Sequence, residues 1–135
     1  MTAGHSGTPL ARKLGIKPGF RVKTGGAPGD YERLLSRLPN GVQVSTRFRD
    51  KVDVWHLFVT SRSKLRAALQ RAMKEIRRDG IIWVSWPKKA SNVKSDVTES
   101  VIRDAALPLG LVDVKVCAVD DTWSGLKLVI RKHLR

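Results

Sequence analysis

Three stretches decide how this chain is built: Val52-Asp53-Val54-Trp55-His56-Leu57-Phe58-Val59, the segment from Ser63 to Arg78, and Ile81-Ile82-Trp83-Val84-Ser85-Trp86-Pro87. The first is almost continuously apolar, broken only by Asp53 and His56. Such runs suit strands covered on both faces, as in parallel sheets. In the second, Leu65, Ala68, Leu69, Ala72, Met73 and Ile76 recur at the 3.6-residue period of a helix. Lys64, Arg71, Lys74 and Arg78 fall on the opposite face, and Asp79-Gly80 predicts the helix end. Ile81 to Trp86 is another buried strand, stopped by Pro87. Strand, helix and strand make a βαβ unit, which pairs its strands in parallel through a right-handed crossover.

The pattern extends in both directions. Residues 1–7 read as a flexible lead to a single domain over 8–135. Thr8-Pro9 predicts an N-cap and a proline at the first helical position, with Leu10, Ala11 and Leu14 inward and Gly15 as the stop. Phe20 to Thr24 is a strand, Gly25-Gly26-Ala27-Pro28-Gly29 a loop, Tyr31 to Leu38 a helix and Val42 to Thr46 a strand. Beyond Pro87, Asp96-Val97-Thr98-Glu99 has capping-box spacing with Asp96 as the cap. A helix follows to about Pro108–Gly110, then strands at Leu111–Val119 and Leu126–Ile130 around a turn. The fold class expected is α/β: a Rossmann-like, open, mostly parallel sheet of about six strands in a three-layer α/β/α arrangement. It closes on a C-terminal antiparallel β-hairpin. Ligands of such sheets bind outside the carboxyl ends of the strands, where strand order reverses. That edge collects Gly25 to Gly29, Thr60-Ser61-Arg62 and Ser85 to Lys89.

Composition narrows the class. The 135 residues are 41% hydrophobic and 28% charged, which are globular proportions. Met1 to Thr8 are small and polar, unlike a signal peptide, and no apolar run reaches the ~20 residues a bilayer span needs. A cytoplasmic location with no membrane partner is expected. The single cysteine, Cys117, lies in an apolar run and is expected as a buried thiol. Three histidines and one cysteine, widely separated, offer no metal spacing. The net charge is +14, from 26 Lys+Arg against 12 Asp+Glu, and it attracts polyanions. A nucleic acid or an anionic small molecule is thus a possible partner, with a solvated basic surface and a protein partner left open, as is the oligomeric state.

The candidate ligand or anion site is Gly25, Gly26 and Gly29 with Ser85, Trp86, Lys88, Lys89, Asn92 and Trp123. The glycine loop follows a strand and precedes a helix, where backbone N–H groups can cradle an anion. Trp86 with Lys88, Lys89 and Lys94 joins an aromatic plane to cations, a pairing that suits a base and its phosphate. Lys64, Arg71, Lys74 and Arg78 form the candidate basic surface. Asp120 and Asp121 read as turn formers and His56 as a core histidine. No catalytic set, metal site or cofactor motif is recognised.

Two resemblances follow. Leu14-Gly15-Ile16-Lys17-Pro18-Gly19-Phe20-Arg21-Val22 and the closing hairpin are similar to class I S-adenosylmethionine-dependent methyltransferases, with one β-α unit fewer. Those enzymes carry an acidic residue near the end of the first strand, a G-x-G turn and, at the end of the second strand, an acidic residue that holds the ribose hydroxyls. This chain has Lys23-Thr24, Gly25 to Gly29, and Ser45-Thr46-Arg47 there. Longer strings resemble an uncharacterised bacterial family, domain of unknown function 3052. They include Ser6-Gly7-Thr8-Pro9-Leu10-Ala11, Trp83-Val84-Ser85-Trp86-Pro87-Lys88-Lys89-Ala90-Ser91 and the segment from Ala106 to Lys127. That resemblance implies a Rossmann-like fold and no established activity. The reading expected is a non-enzymatic binding module for an anionic ligand or nucleic acid. A degenerate methyltransferase-like enzyme or nucleotide sensor, and a structural interaction subunit, are the alternatives. Lys23 and Arg47, beside Lys88 and Lys89, would recharge the corner and select an anion.

Overall fold

The computed structural model describes residues 8–135; the expected flexible lead lies outside them. Six strands form one sheet: β1 (Arg21–Gly25), β2 (Gln43–Ser45), β3 (Val52–Phe58), β4 (Ile76–Pro87), β5 (Leu111–Ala118) and β6 (Trp123–Ile130). Their order is β2-β1-β3-β4-β6-β5. Strands β1 to β4 pair in parallel, and β6 inserts antiparallel between β4 and β5. Helices α1 (Leu10–Lys13) and α2 (Tyr31–Leu35) cover one face; α3 (Leu65–Glu75) and α4 (Glu99–Ala106) cover the other. This is the expected Rossmann-like, three-layer architecture with its antiparallel closing hairpin. Among the described residues no helix is long and apolar enough to cross a membrane.

Alternation along the central strands builds two cores. Trp55, Leu57, Ile82, Val84, Leu126 and Leu128 pack beneath α3 and α4 against Leu65, Leu69, Ala72, Ile102 and Ala106. Val22, Val54, Phe58 and Trp83 pack under α1 and α2 against Leu10, Leu14, Tyr31 and Leu35. Trp83, wholly buried, donates its indole N–H to the Leu14 carbonyl (2.9 Å) and so ties α1 to the sheet. Burying one such large apolar side chain contributes roughly 1.5–3 kcal/mol.

Several boundaries depart from the sequence reading. The helix expected to reach Arg78 ends at Glu75, and Ile76 is already extended and pairs with Val52 in the sheet. Ile76 lies in phase with the apolar stripe of α3, so helical periodicity could not separate it. Arg77, Arg78 and Asp79 loop outward at a register shift, and Arg77 turns to Asp53 (3.7 Å). Arg78 therefore does not share the helix face of Lys64, Arg71 and Lys74, and Asp79-Gly80 is not a helix stop. The cap of α4 is Thr98, whose hydroxyl accepts from the Val101 N–H; Asp96 instead accepts from the Arg62 N–H (2.7 Å). Pro9 occupies the N-cap position of α1, which lacks a side-chain cap. α2 stops three residues early, at Leu35, because Ser36 takes a left-handed φ of 52°. Cys117 is half-buried rather than buried, because β5 is the sheet edge; burial pushes its thiol up.

Candidate functional site

Strand order reverses between β1 and β3: from β1 the chain passes to β2 on one side, from β3 to β4 on the other. At the carboxyl ends of these two strands lies a groove of about 310 Å³. Gly25, Leu57, Phe58 and Val59 form its floor; Thr60, Ser61, Lys64 and Ala68 form its α3 side. Lys64 is the only charged residue among these eight. A second hollow, about 320 Å³, lies at the amino ends of β3 and β4 and mixes Lys51, Arg77 and Arg78 with Asp79.

Aromatic rings support the groove from both faces of the sheet. A side chain on Gly25 would stand 2.7 Å from the Trp55 ring, and one on Gly26 2.7 Å from the Phe58 carbonyl. Gly26 also holds a φ of +71°, which disfavours any other residue. Beneath α3, Trp55 donates its indole N–H to Glu75 (2.7 Å), and Lys23 pairs with the same carboxylate oxygen (2.7 Å). Arg71 reaches the other oxygen at 3.4 Å. Burial pushes the Glu75 carboxyl up, but the hydrogen bonds from Lys23, Trp55 and Arg71 outweigh it and hold the carboxyl below its ordinary range. The Lys23 ammonium is thus buried and neutralised, and it does not recharge the corner. Arg47 is exposed beyond the end of β2.

On the opposite face, beneath α2, lies a sealed polar chain. His56 Nδ1 shares a hydrogen bond with Tyr31 Oη (2.9 Å), and Nε2 shares one with Ser85 Oγ (2.6 Å). A neutral imidazole offers one donor and one acceptor, which matches two hydroxyls that can each play either part. Burial pushes the His56 pKa down from 6.5 to about 3 and pushes the Tyr31 hydroxyl upward. The imidazole stacks on Phe58 at 4.3 Å, and Trp123 meets Phe58 edge-on at 5.0 Å. His56 and Ser85 have no exposed surface. The three side chains form a core network on the α1–α2 side, and Phe58, which lines the groove, stacks on its imidazole. Three residues spaced 25 and 29 apart carry no local motif, which is why sequence reading shows His56 only as a core residue.

The proposed ligand residues disperse. Gly25 lines the groove and Gly26 continues its loop, whereas Gly29 is exposed with open space around it. Ser85 belongs to the sealed network. Trp86 packs against the core beneath α3 and α4. Lys88 donates its backbone N–H to Thr122 (2.8 Å), tying the loop to the hairpin turn; Lys89, Asn92 and Lys94 are exposed. Asp120 accepts from the Thr122 and Trp123 N–H groups at 2.8 and 2.7 Å, the turn role read from sequence. Of the basic surface, Lys64 reaches the groove, Arg71 leans on Glu75, and Lys74 and Arg78 are exposed. Thr60 and Ser61, at the strand end, enter the groove as the edge rule predicts. Among the described residues, no three His, Cys, Asp or Glu side chains are grouped to hold a metal.

The profile of a family described as protein of unknown function, DUF3052, matches residues 11–132. The chain belongs to the DUF3052 family. No curated protein matches this DUF3052 chain in sequence. Solved structures do match its fold. A Sulfolobus solfataricus protein described as a type 11 methyltransferase superposes with a TM-score of 0.63 at 14% identity, over 91% of this chain and 90% of that one. A SAM-dependent O-methyltransferase from Thermotoga maritima gives 0.60 at 9% identity, over 91% of this chain and 64% of that one. A SAM-dependent methyltransferase from Aquifex aeolicus gives 0.56 at 13% identity, over 90% and 88%. At these identities the likeness concerns the fold. DUF3052 here is a methyltransferase-like sheet whose first strand carries Lys23, buried and paired, two residues before Gly25.

Proposed function

We propose that this domain is a non-catalytic binding module that holds a small, phosphate-bearing ligand in the switch-point groove. The observation that carries the reading is the groove itself, with Lys64 as its only lining charge. A volume of about 310 Å³ lies at the small end of ligand sites. Leu57, Val59 and Ala68 offer an apolar bed, while Thr60, Ser61 and Lys64 offer a polar lip beside the start of α3. A helix start with a lysine favours an anion. A base or other flat apolar group fits the bed, and the phosphate fits the lip. The residue that would hold a ribose through a carboxylate is not among the lining groups, which separates this reading from S-adenosylmethionine binding.

The test is thermal unfolding of the full chain with AMP, inorganic phosphate or S-adenosylmethionine, for wild type and Lys64→Gln. A ligand at 100 times its Kd stabilises by about 2.7 kcal/mol. AMP is expected to raise the wild-type Tm and to lose most of that effect in the variant. Stabilisation by S-adenosylmethionine without any by AMP would return the domain to the methyltransferase-like reading, and no response to any ligand at millimolar concentration would end the groove reading.

A further inference from the structure

The closing hairpin carries a charge arrangement that folding alone does not favour. Lys115 of β5 and Lys127 of β6 are direct cross-strand partners. Like charges directly opposite on one face of a sheet are destabilising. The register shift between Asp113 and Lys115 creates this pair. Without it, residues 113 and 115 would share a face. With it, Asp113 stands opposite Leu128, on the α4 side, where it pairs with Arg103 (2.8 Å), while Lys115 joins Lys127 on the α1 side. The irregularity puts Asp113 and Lys115 on opposite faces, and leaves the α1 side of these two strands with two paired lysines and no carboxylate.

Two more lysines converge there. Lys127 stands opposite Trp83, the residue that α1 covers, and Lys17 follows α1 closely enough for its charge to act on Lys127. Burial, then Lys115, then Lys17 push the Lys127 ammonium pKa down. Lys13, in α1, reaches the Ala118 carbonyl at the far end of β5 (3.5 Å). None of the four forms an ion pair among the described residues. Lys17 and Lys115 are exposed, and Lys13 and Lys127 half-buried.

We propose that this face docks the sugar–phosphate backbone of a nucleic acid without reading its sequence. Lysines act as point charges toward phosphate, and phosphate contacts supply affinity and orientation rather than base discrimination. The neighbouring residues on the face include the half-buried Val112, Val129 and Cys117, and the unpaired Val114 of the bulge is exposed beside Lys115. Trp123, further along β6, is engaged edge-on with Phe58. A surface element that enters a bilayer presents Trp, Phe or Leu instead, so the composition favours a polyanion over a lipid surface. This site lies on the face of the sheet opposite the α3 side of the groove, and it holds or fails independently of the groove reading.

Fluorescence anisotropy of the full chain with a short labelled DNA duplex and a single-stranded RNA tests it, between about 50 and 200 mM salt. The key variant is Lys115→Gln/Lys127→Gln, compared with Lys74→Gln/Arg78→Gln on the exposed far side. The first is expected to weaken binding roughly tenfold and to reduce the salt slope on duplex DNA by about 1.8. Its Tm should equal or exceed that of wild type, because like-charge repulsion is relieved, so lost binding is not lost folding. The proposal is overturned if the wild type binds neither probe at low salt. It is also overturned if the far-side variant loses as much as the hairpin variant, or if only anionic phospholipid vesicles bind.

Discussion

Acid should destabilise this fold through one imidazole. His56 is wholly buried, and its pKa falls from 6.5 to about 3 because burial disfavours the charged ring. The unfolded chain takes up a proton on His56 as pH falls through 6.5, whereas the native state resists until about pH 3. Protons therefore favour the unfolded state throughout that window, and stability from the neutral ring is present above it and lost as pH falls. The linkage gives a loss of about 2 kcal/mol between pH 7 and pH 5, rising to roughly 4 kcal/mol near pH 3. Urea denaturation at pH 7, 6 and 5 would measure it for wild type and His56→Gln. Glutamine can hydrogen-bond Tyr31 and Ser85 but does not titrate. Whatever the substitution costs at pH 7 drops out of the comparison, because the two pH slopes are compared. The wild type should lose about 2 kcal/mol more than the variant over those two pH units. Equal losses in both would refute the claim that the Tyr31–His56–Ser85 chain holds a neutral imidazole.

Other perturbations follow from the same geometry. Glu75→Leu strands the buried Lys23 ammonium and should cost about 3–5 kcal/mol, while Lys23→Met/Glu75→Leu should recover most of that, both by urea denaturation. Gly26→Ala meets the Phe58 carbonyl and a left-handed φ; a loss of about 1–3 kcal/mol is expected by thermal unfolding. Thr98→Ala removes the cap of α4 and should cost about 1 kcal/mol, whereas Asp96→Ala should leave α4 capped and instead loosen the Arg62 turn, seen as faster amide exchange there.

The sheet was legible because its central strands are nearly unbroken apolar runs and α3 has a clean stripe. Legibility failed where one residue satisfied two periods. Ile76 continues the stripe of α3 and also begins β4, and only its pairing with Val52 decides between them. Asp96 and Thr98 both offer an oxygen that suits an N-cap, and local sequence does not choose between them; the claim of the Arg62 N–H on Asp96 is a long-range fact. The site was half legible. The strand-end rule found Gly25, Thr60 and Ser61. Trp86 and Lys88 look like their neighbours in sequence order, but β4 runs on to Pro87 and pairs with β6, which carries Trp86 into the α3–α4 core and Lys88 to the hairpin turn. The recharged corner failed for a similar reason. Nothing local to Lys23 announces that Glu75, 52 residues away, neutralises it. The pairing of Lys115 with Lys127 was hidden too, because simple alternation puts Lys115 on the face of Asp113 and only the register shift reverses it.

Amide chemical-shift mapping of the ¹⁵N-labelled chain during titration with AMP tests the groove most directly. Saturable shifts are expected at Gly25, Gly26, Thr60, Ser61 and Lys64, and none of them in Lys64→Gln at the same AMP concentrations. Shifts confined to other surfaces, or no saturable shift at millimolar AMP, would contradict it.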